Sequence, residues 1–358
     1  MSFTPTLRPL RSLFPRSRFP AASSSIRSYA SLSPHTPAPT QPYQIFDEGS
    51  KLRQRDRAIL RLKERGEKDG EVGYLREEIA ERLAERIEDL RIPPSSILDL
   101  SSHTGTLTKI LQETLGDEIT STDGVVTQGK RKWWMVDGSE GALHRDGDAE
   151  FTYPPTRIQT TASDLLSHPE IQQITDKVEA VVSASGLHWV GDIVGALTQI
   201  KHVLQPNGVF VGAVLGGDTL FELRTSLQLA EQERRGGIAN RVSPMIEPTD
   251  APSLLNRAGF TLTTIDVEDL VINYPSVWEL MSDLRDMGES NAILGRKAAV
   301  GRDVLLAAEG IYKELYGNED GSVPATFSII FMIGWKPGPN QPQPLERGSG
   351  KTNLKDVL

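Results

Sequence analysis

The sequence predicts an α/β fold with a mainly parallel sheet and helices on both of its faces, and three observations predict it. After Pro93-Pro94, short apolar runs alternate with amphipathic helical patterns, and strands separated by helices pair in parallel because the chain must cross back before it can pair again. The first run, 97–100, passes through a short polar turn ending at Gly105 into a helical pattern at Leu107, Ile110 and Leu111. That is the strand, turn and helix context in which a helix N-terminus faces a nucleotide. Two further strands, TLTTIDVEDLVINY (261–274) and TFSIIFMIGW (326–335), close the pattern.

Residues 1–42 carry Arg8, Arg11, Arg16, Arg18 and Arg27, many serines and no acid. This is the composition of a mitochondrial presequence, ending in the proline-rich linker SPHTPAPTQP. Two helices are expected over 46–65 and 74–90, the second from Leu75, Ile79, Leu83, Ile87 and Leu90 at helical spacing. Together, over 43–92, they form an N-terminal helical segment that could cap a neighbouring cleft. Strands are expected near 96–100, 118–122, 157–161, 178–184 and 208–215, with helices near 105–115, 190–204 and 218–234. Two more helices, near 276–287 and 295–316, separate the late strands. Five parallel strands followed by a late pair resemble the seven-stranded, Rossmann-like sheet of class I methyltransferases, which places that domain at 93–336. The segment 124–156 reads as a long insert carrying Trp133 and Trp134 beside Lys130, Arg131 and Lys132, and 337–358 as a disordered tail.

Composition removes several chemistries. The chain has no cysteine, which excludes disulfides, thiolate zinc sites, iron–sulphur ligation and a cysteine nucleophile. No apolar run is long enough to span a membrane. The formal charge of −9 argues against nonspecific nucleic-acid binding. Two H-x-D/E tripeptides, His144-Arg145-Asp146 and His168-Pro169-Glu170, are little more than six histidines and 48 acids produce by chance, so no metal site is assigned.

In a doubly wound sheet, ligands gather at the carboxyl ends of the strands. Asp99 ends the first strand, Gly105 opens its helix, and Asp123 ends the expected second strand, where a carboxylate could accept both ribose hydroxyls of an adenosine. Asp164 follows the third strand and could meet the adenine amine. The fourth strand delivers Ser183, then His188 and Trp189, to the same edge, where substrate would meet cofactor. Ser101 and His103 stand in the turn where glycines usually allow the backbone to approach the ligand. Transfer from a sulfonium needs positioning more than a metal, so S-adenosyl-L-methionine is the expected cofactor, while the single glycine disfavours a nicotinamide or flavin. Turn chemistry at strand ends is the plain alternative for Asp99 and Asp123.

Several strings of residues are more specific. Arg55-Asp56-Arg57-Ala58, LHWV (187–190), GGDTLFELR (216–224), SLQLAEQER (226–234), MGESNA (287–292) and NEDGSVPATF (318–327) leading into MIGWK (332–336) occur in order. Over roughly 43–336 they resemble the mitochondrial complex I assembly factor 5 family, related to malonyl-carrier O-methyltransferases. The resemblance implies a matrix protein, free or peripheral on the inner membrane, that hydroxylates an arginine of an iron–sulphur subunit of complex I. Family members commonly carry D-x-G-x-G at the first turn, so Ser101 and His103 depart from the pattern. Candidate catalytic groups are His188, Trp189, Asp218 and Glu222. An acidic cleft drawing also on Glu289 and Asp320 would suit a guanidinium. Two alternatives remain open: a methyltransferase acting on a small-molecule or carrier-bound carboxylate, and an assembly chaperone without catalysis.

Overall fold

The computed structural model describes residues 44–66, 73–116, 119–120, 126–127, 130–297, 299–339 and 341–342. The expected presequence and linker at 1–42, Asp123 and most of the expected tail lie outside these residues.

Two helices come first, α1 (Glu48–Arg65) and α2 (Tyr74–Glu88). Asp47 starts α1 by accepting the Ser50 N–H at 2.8 Å, and Gly66 ends it in the left-handed region at φ 69°. The Rossmann-like part follows as β1 (Ser96–Leu100), α3 (Thr106–Leu115), a small antiparallel pair β2 (Ile119–Thr120) and β3 (Val126–Thr127), β4 (Lys132–Asp137), a short helix α4 (Glu140–Leu143) and β5 (Thr156–Gln159). Next come α5 (Pro169–Ile174), β6 (Val178–Ala184), a 3₁₀ turn (Leu187–Trp189), α6 (Ile193–Val203), β7 (Leu204–Leu215) and α7 (Phe221–Arg235). The chain ends with α8 (Ala251–Ala258), β8 (Thr261–Tyr274), α9 (Val277–Asp286), α10 (Arg302–Tyr316) and β9 (Val323–Trp335).

Seven strands form one sheet in the order β5-β4-β1-β6-β7-β9-β8. All pairs run parallel except those made by β9, which is antiparallel to both β7 and β8. Five parallel strands with a late strand inserted beside the fifth is the class I methyltransferase arrangement. Alternation along each strand divides the core: on β7, Val209, Val211 and Ala213 face the layer of α2, α3, α7 and α10, while Phe210 and Val214 face that of α5, α6 and α8.

The expected second strand is corrected. Residues 119–120 pair only with β3 in the small separate sheet, and the strand beside β1 is KWWMVD, in register Ser96↔Lys132 through Leu100↔Val136. The segment 124–156 is therefore not an insert, since it carries a sheet strand and the helix α4. Trp133 and Trp134 turn to opposite faces of that strand and into separate core layers. The strand escapes a reading by periodicity because its apolar run is four residues long, lies between Lys130-Arg131-Lys132 and Asp137, and does not alternate with polar residues, being buried on both faces.

Candidate functional site

At the carboxyl end of β1 the chain turns through Ser101, His103 and Gly105, whose φ values of 59°, 54° and 85° all lie in the left-handed region. The backbone keeps the glycine-type turn although only Gly105 is a glycine. A side chain in this conformation costs on the order of 1 kcal/mol. The turn is held from the next strand: Asp137, at the end of β4, accepts the His103 N–H at 3.1 Å and the Ser139 N–H at 2.7 Å. Asp137 thus occupies the strand-end position expected for Asp123.

Asp99 is buried beneath this turn. Its Oδ2 accepts the Thr108 hydroxyl at 2.7 Å, and its Oδ1 has no hydrogen-bond partner among the described residues. Burial, opposed by the Thr108 bond and reinforced by the Asp137 charge, raises its pKa to about 7. His103 is 5% exposed, and neither of its ring nitrogens has a partner among the described residues. Burial first, then the charges of Arg76 and Arg55, hold its pKa well below the usual imidazole value.

Across the hollow, β6 ends beyond Ser183, whose buried hydroxyl also has no partner among the described residues. Gly186 lets the next turn press against the first, since a Cβ there would lie 2.2 Å from Ser101 Cβ. The following turn buries His188 and Trp189. The Trp189 indole N–H donates to Glu289 Oε2 at 2.5 Å, and His188 Nε2 lies 3.5 Å from the same oxygen. Lys51 of α1 sits 3.9 Å from Glu289 Oε2, donates to the Gly288 and Ser290 carbonyls at 3.1 and 2.6 Å, and lies over the Trp189 ring. Arg76 of α2 approaches Glu289 Oε1 at 3.9 Å. Burial alone would raise the Glu289 pKa, but Lys51, His188 and Arg55 hold it well below the carboxylate range. Burial brings Lys51 down to about 7 against the pull of Glu289. Burial likewise lowers the His188 pKa, against the pull of Glu289.

These observations correct the acidic cleft. Asp218 and Asp320 are exposed, and Asp320 caps Ser322. Glu222 is buried and accepts the Thr326 hydroxyl and N–H, which ties α7 to β9 rather than serving the site. Glu289 is the one of the four that stands in the site, and it faces three cations, Lys51, Arg55 and Arg76. Asp164 is exposed and lines a separate polar hollow of about 450 Å³ with Asp47, Glu48 and Asp192. Among the candidates, Asp99, Ser101, His103, Gly105 and Ser183 surround the turn at the end of β1, and His188 and Trp189 stand across from it. His144 ends α4, and His168 caps α5 by accepting the Glu170 N–H. Among the described residues, no three His, Asp or Glu side chains are grouped to hold a metal ion.

Lys51, Leu52 and Arg55, which composition marks only as one helix face, are central. Trp189 forms a wall common to two spaces. One is a mainly apolar cavity of about 440 Å³ between α7, α9 and α10, lined by Leu223, Met281, Leu284 and Met287, with Glu289, Arg241, Arg296 and Lys297 also in its wall. The other is the hollow expected for the adenosyl group, bounded by Ser101, Gly138, Thr161 and Gly186. With α1 in place only about 50 Å³ remains there, whereas sites for ligands of cofactor size run from roughly 300 Å³ upward. Leu52 lies against Gly138, where an added Cβ would come within 2.8 Å of its Cδ2. Arg55 stands 3.5 Å from Asp137 Oδ2, the acceptor a ribose hydroxyl would use. An adenosyl group does not fit the hollow while α1 is seated.

A family model described as a methyltransferase domain matches residues 72–265. The protein named arginine-hydroxylase NDUFAF5, mitochondrial, of Homo sapiens is 39% identical over 342 residues, covering 95% of this chain and 91% of that protein. Its Danio rerio counterpart is 39% identical over 317 residues, covering 88% and 90%. The malonyl-[acyl-carrier protein] O-methyltransferase of Laribacter hongkongensis is 28% identical over 280 residues, covering 76% and 86%. With a methyltransferase-type sheet, a family model over more than half its length and relatives of this identity across nearly all of it, the chain belongs to the mitochondrial arginine-hydroxylase NDUFAF5 family.

Proposed function

We propose that this chain hydroxylates an arginine side chain of a protein substrate in mitochondria, and that the substrate is an iron–sulphur subunit of respiratory complex I met in the matrix during assembly. The names of the relatives support the activity, and the observation that carries it to particular residues is the position of Glu289. Its carboxylate, whose pKa is held well below the usual range, lines the mainly apolar cavity that Trp189 also walls. Apolar walls receive the methylene stem of an arginine, and a carboxylate receives its guanidinium through paired hydrogen bonds. Lys51, whose pKa burial brings to about 7, can release its proton as the guanidinium arrives, so the charge around Glu289 stays balanced. Trp189 keeps the Glu289 oxygen in place through its indole N–H, and closure of the site around the stem excludes water.

S-adenosyl-L-methionine is the cofactor the fold suggests for the hollow at Asp99, Ser101 and Asp137, once that hollow is open. Its closed state favours a second reading, an assembly protein that keeps the fold without using a cofactor.

The test is the mass of the complex I iron–sulphur subunit from cells with the wild-type chain, without it, and with Glu289→Gln. Hydroxylation requires the target carbon to be held at the reactive atom, so the subunit should be about 16 Da lighter in both mutant lines. A loss of about 14 Da would mean methylation instead, which requires the same positioning. An unchanged mass would leave the assembly reading.

A further inference from the structure

Helix α1 is hooked across the cofactor hollow at four points that share no partner. Lys51 is held by the Gly288 and Ser290 carbonyls, and Arg55 faces Asp137. Asp56 accepts the Ser139 hydroxyl at 2.6 Å and the Gly141 N–H at 3.2 Å, and Glu48 accepts the Ser163 hydroxyl at 2.7 Å. These contacts reach the ends of β4 and β5 and the 288–290 segment, the edges between which a nucleoside would lie. Leu52 and Arg55 meanwhile take up the space and the acceptor such a nucleoside would use. The groups beneath are left without partners among the described residues: Asp99 Oδ1, both nitrogens of His103 and the Ser183 hydroxyl. Buried polar atoms without partners are uncommon and call for an explanation.

We infer that α1 is a built-in competitor for the adenosyl hollow, so that an adenosyl ligand binds only to molecules in which α1 has swung away from Gly138 and Asp137. The inference rests on the reading that the hollow takes an adenosyl cofactor, and adds that its apparent affinity is set by the fraction of molecules with α1 unseated. The unpartnered atoms become ligand contacts when the helix leaves. A partner protein that draws α1 onto its own surface would load the cofactor, which couples loading to the presence of substrate.

The chain has no cysteine, so a single introduced pair forms the only disulfide. A Cβ at Gly141 would lie 3.7 Å from Asp56 Cα, close enough for a bridge between Asp56→Cys and Gly141→Cys. Binding of S-adenosylhomocysteine is measured by calorimetry on the full chain, on this double variant oxidised and reduced, and on Lys51→Ala, which loses one hook. The expected result is at least ~10-fold weaker binding when oxidised than when reduced, and ~10-fold tighter binding than wild type for Lys51→Ala. Equal affinity of the oxidised and reduced forms overturns the competitor role while leaving the cofactor assignment standing. Absence of binding in every form, including Lys51→Ala, overturns both.

Discussion

Lys51 Nζ lies 3.3 Å from the centroid of the Trp189 ring and 3.9 Å from Glu289 Oε2, although Lys51 and Glu289 are separated by more than two hundred residues. The ammonium, the indole and the carboxylate form one unit on the wall between the cofactor hollow and the apolar cavity. Removing the acid from this unit leaves the buried Lys51 ammonium without its nearby carboxylate. Glu289→Gln is therefore expected to destabilise the fold by about 3–5 kcal/mol. Adding Lys51→Met should recover part of that loss, and urea denaturation of both single variants and the double variant measures the coupling. A strictly additive double variant would mean that the two groups do not interact.

Trp189→Phe keeps a ring under Lys51 and removes the indole donor to Glu289 Oε2. A hydrogen bond to a charged group contributes about 1.5–3 kcal/mol, so the hydroxylated fraction of substrate at fixed time should fall ~10-fold or more. Mass spectrometry reads the fraction, and a Tm within a few degrees of wild type assigns the loss to positioning. An unchanged rate of modification would remove Trp189 from the site.

Asp99 governs a pH dependence whose sign is defined. Its folded pKa is raised from 3.8 to about 7, so between these values the folded protein holds a proton that the unfolded chain has released, and stability falls as pH rises through that window. The term is fully lost above pH 7 and absent from Asp99→Asn. The Tm of the variant minus that of wild type should become more positive from pH 4 to pH 7.5, by the equivalent of at most on the order of 4 kcal/mol. A difference that does not change with pH would show that Asp99 titrates normally.

The two turns at the sheet's carboxyl edge should be exchangeable as a pair. Gly186→Ala would drive its Cβ to 2.2 Å from Ser101 Cβ and 2.6 Å from its Oγ, and forced overpacking of this kind costs about 1–3 kcal/mol. Ser101→Gly removes the obstructing atoms and relieves a left-handed φ of 59° at the same time. The double variant is expected to be at least as stable as Gly186→Ala plus ~2 kcal/mol in thermal or urea denaturation. No rescue would mean that Gly186 is needed for a reason other than its contact with Ser101.

Much of the architecture was legible locally. Runs such as VEAVVSA and TFSIIFMIGW declare strands by β-branched and apolar content, and Leu75, Ile79, Leu83 and Ile87 declare α2 by their helical spacing. The turn at 101–105 was legible as a cofactor-type loop from its context even without its glycines. KWWMVD was not, because a short strand buried on both faces has no alternation and its flanking charges imitate a loop. Missing that strand placed the acid at the end of the strand beside β1 at Asp123, where the fold has Asp137.

Charge was the other quantity that local pattern could not settle. The acids near the motifs suggested a negative cleft, yet Asp218 and Asp320 point to solvent and Glu222 serves Thr326. Local spacing and composition established most of the helices, most of the strands and the loop from which a cofactor site would be built, since these depend on residues near one another in the chain, whereas the place of β4 beside β1 came only from the fold. The packing of α1 onto the ends of β1, β4 and β6 decided which carboxylate faces the hollow, which cations surround Glu289 and how much space is left. Those outcomes depend on contacts between residues far apart in sequence, where van der Waals volume and desolvation act on whichever groups the fold brings together.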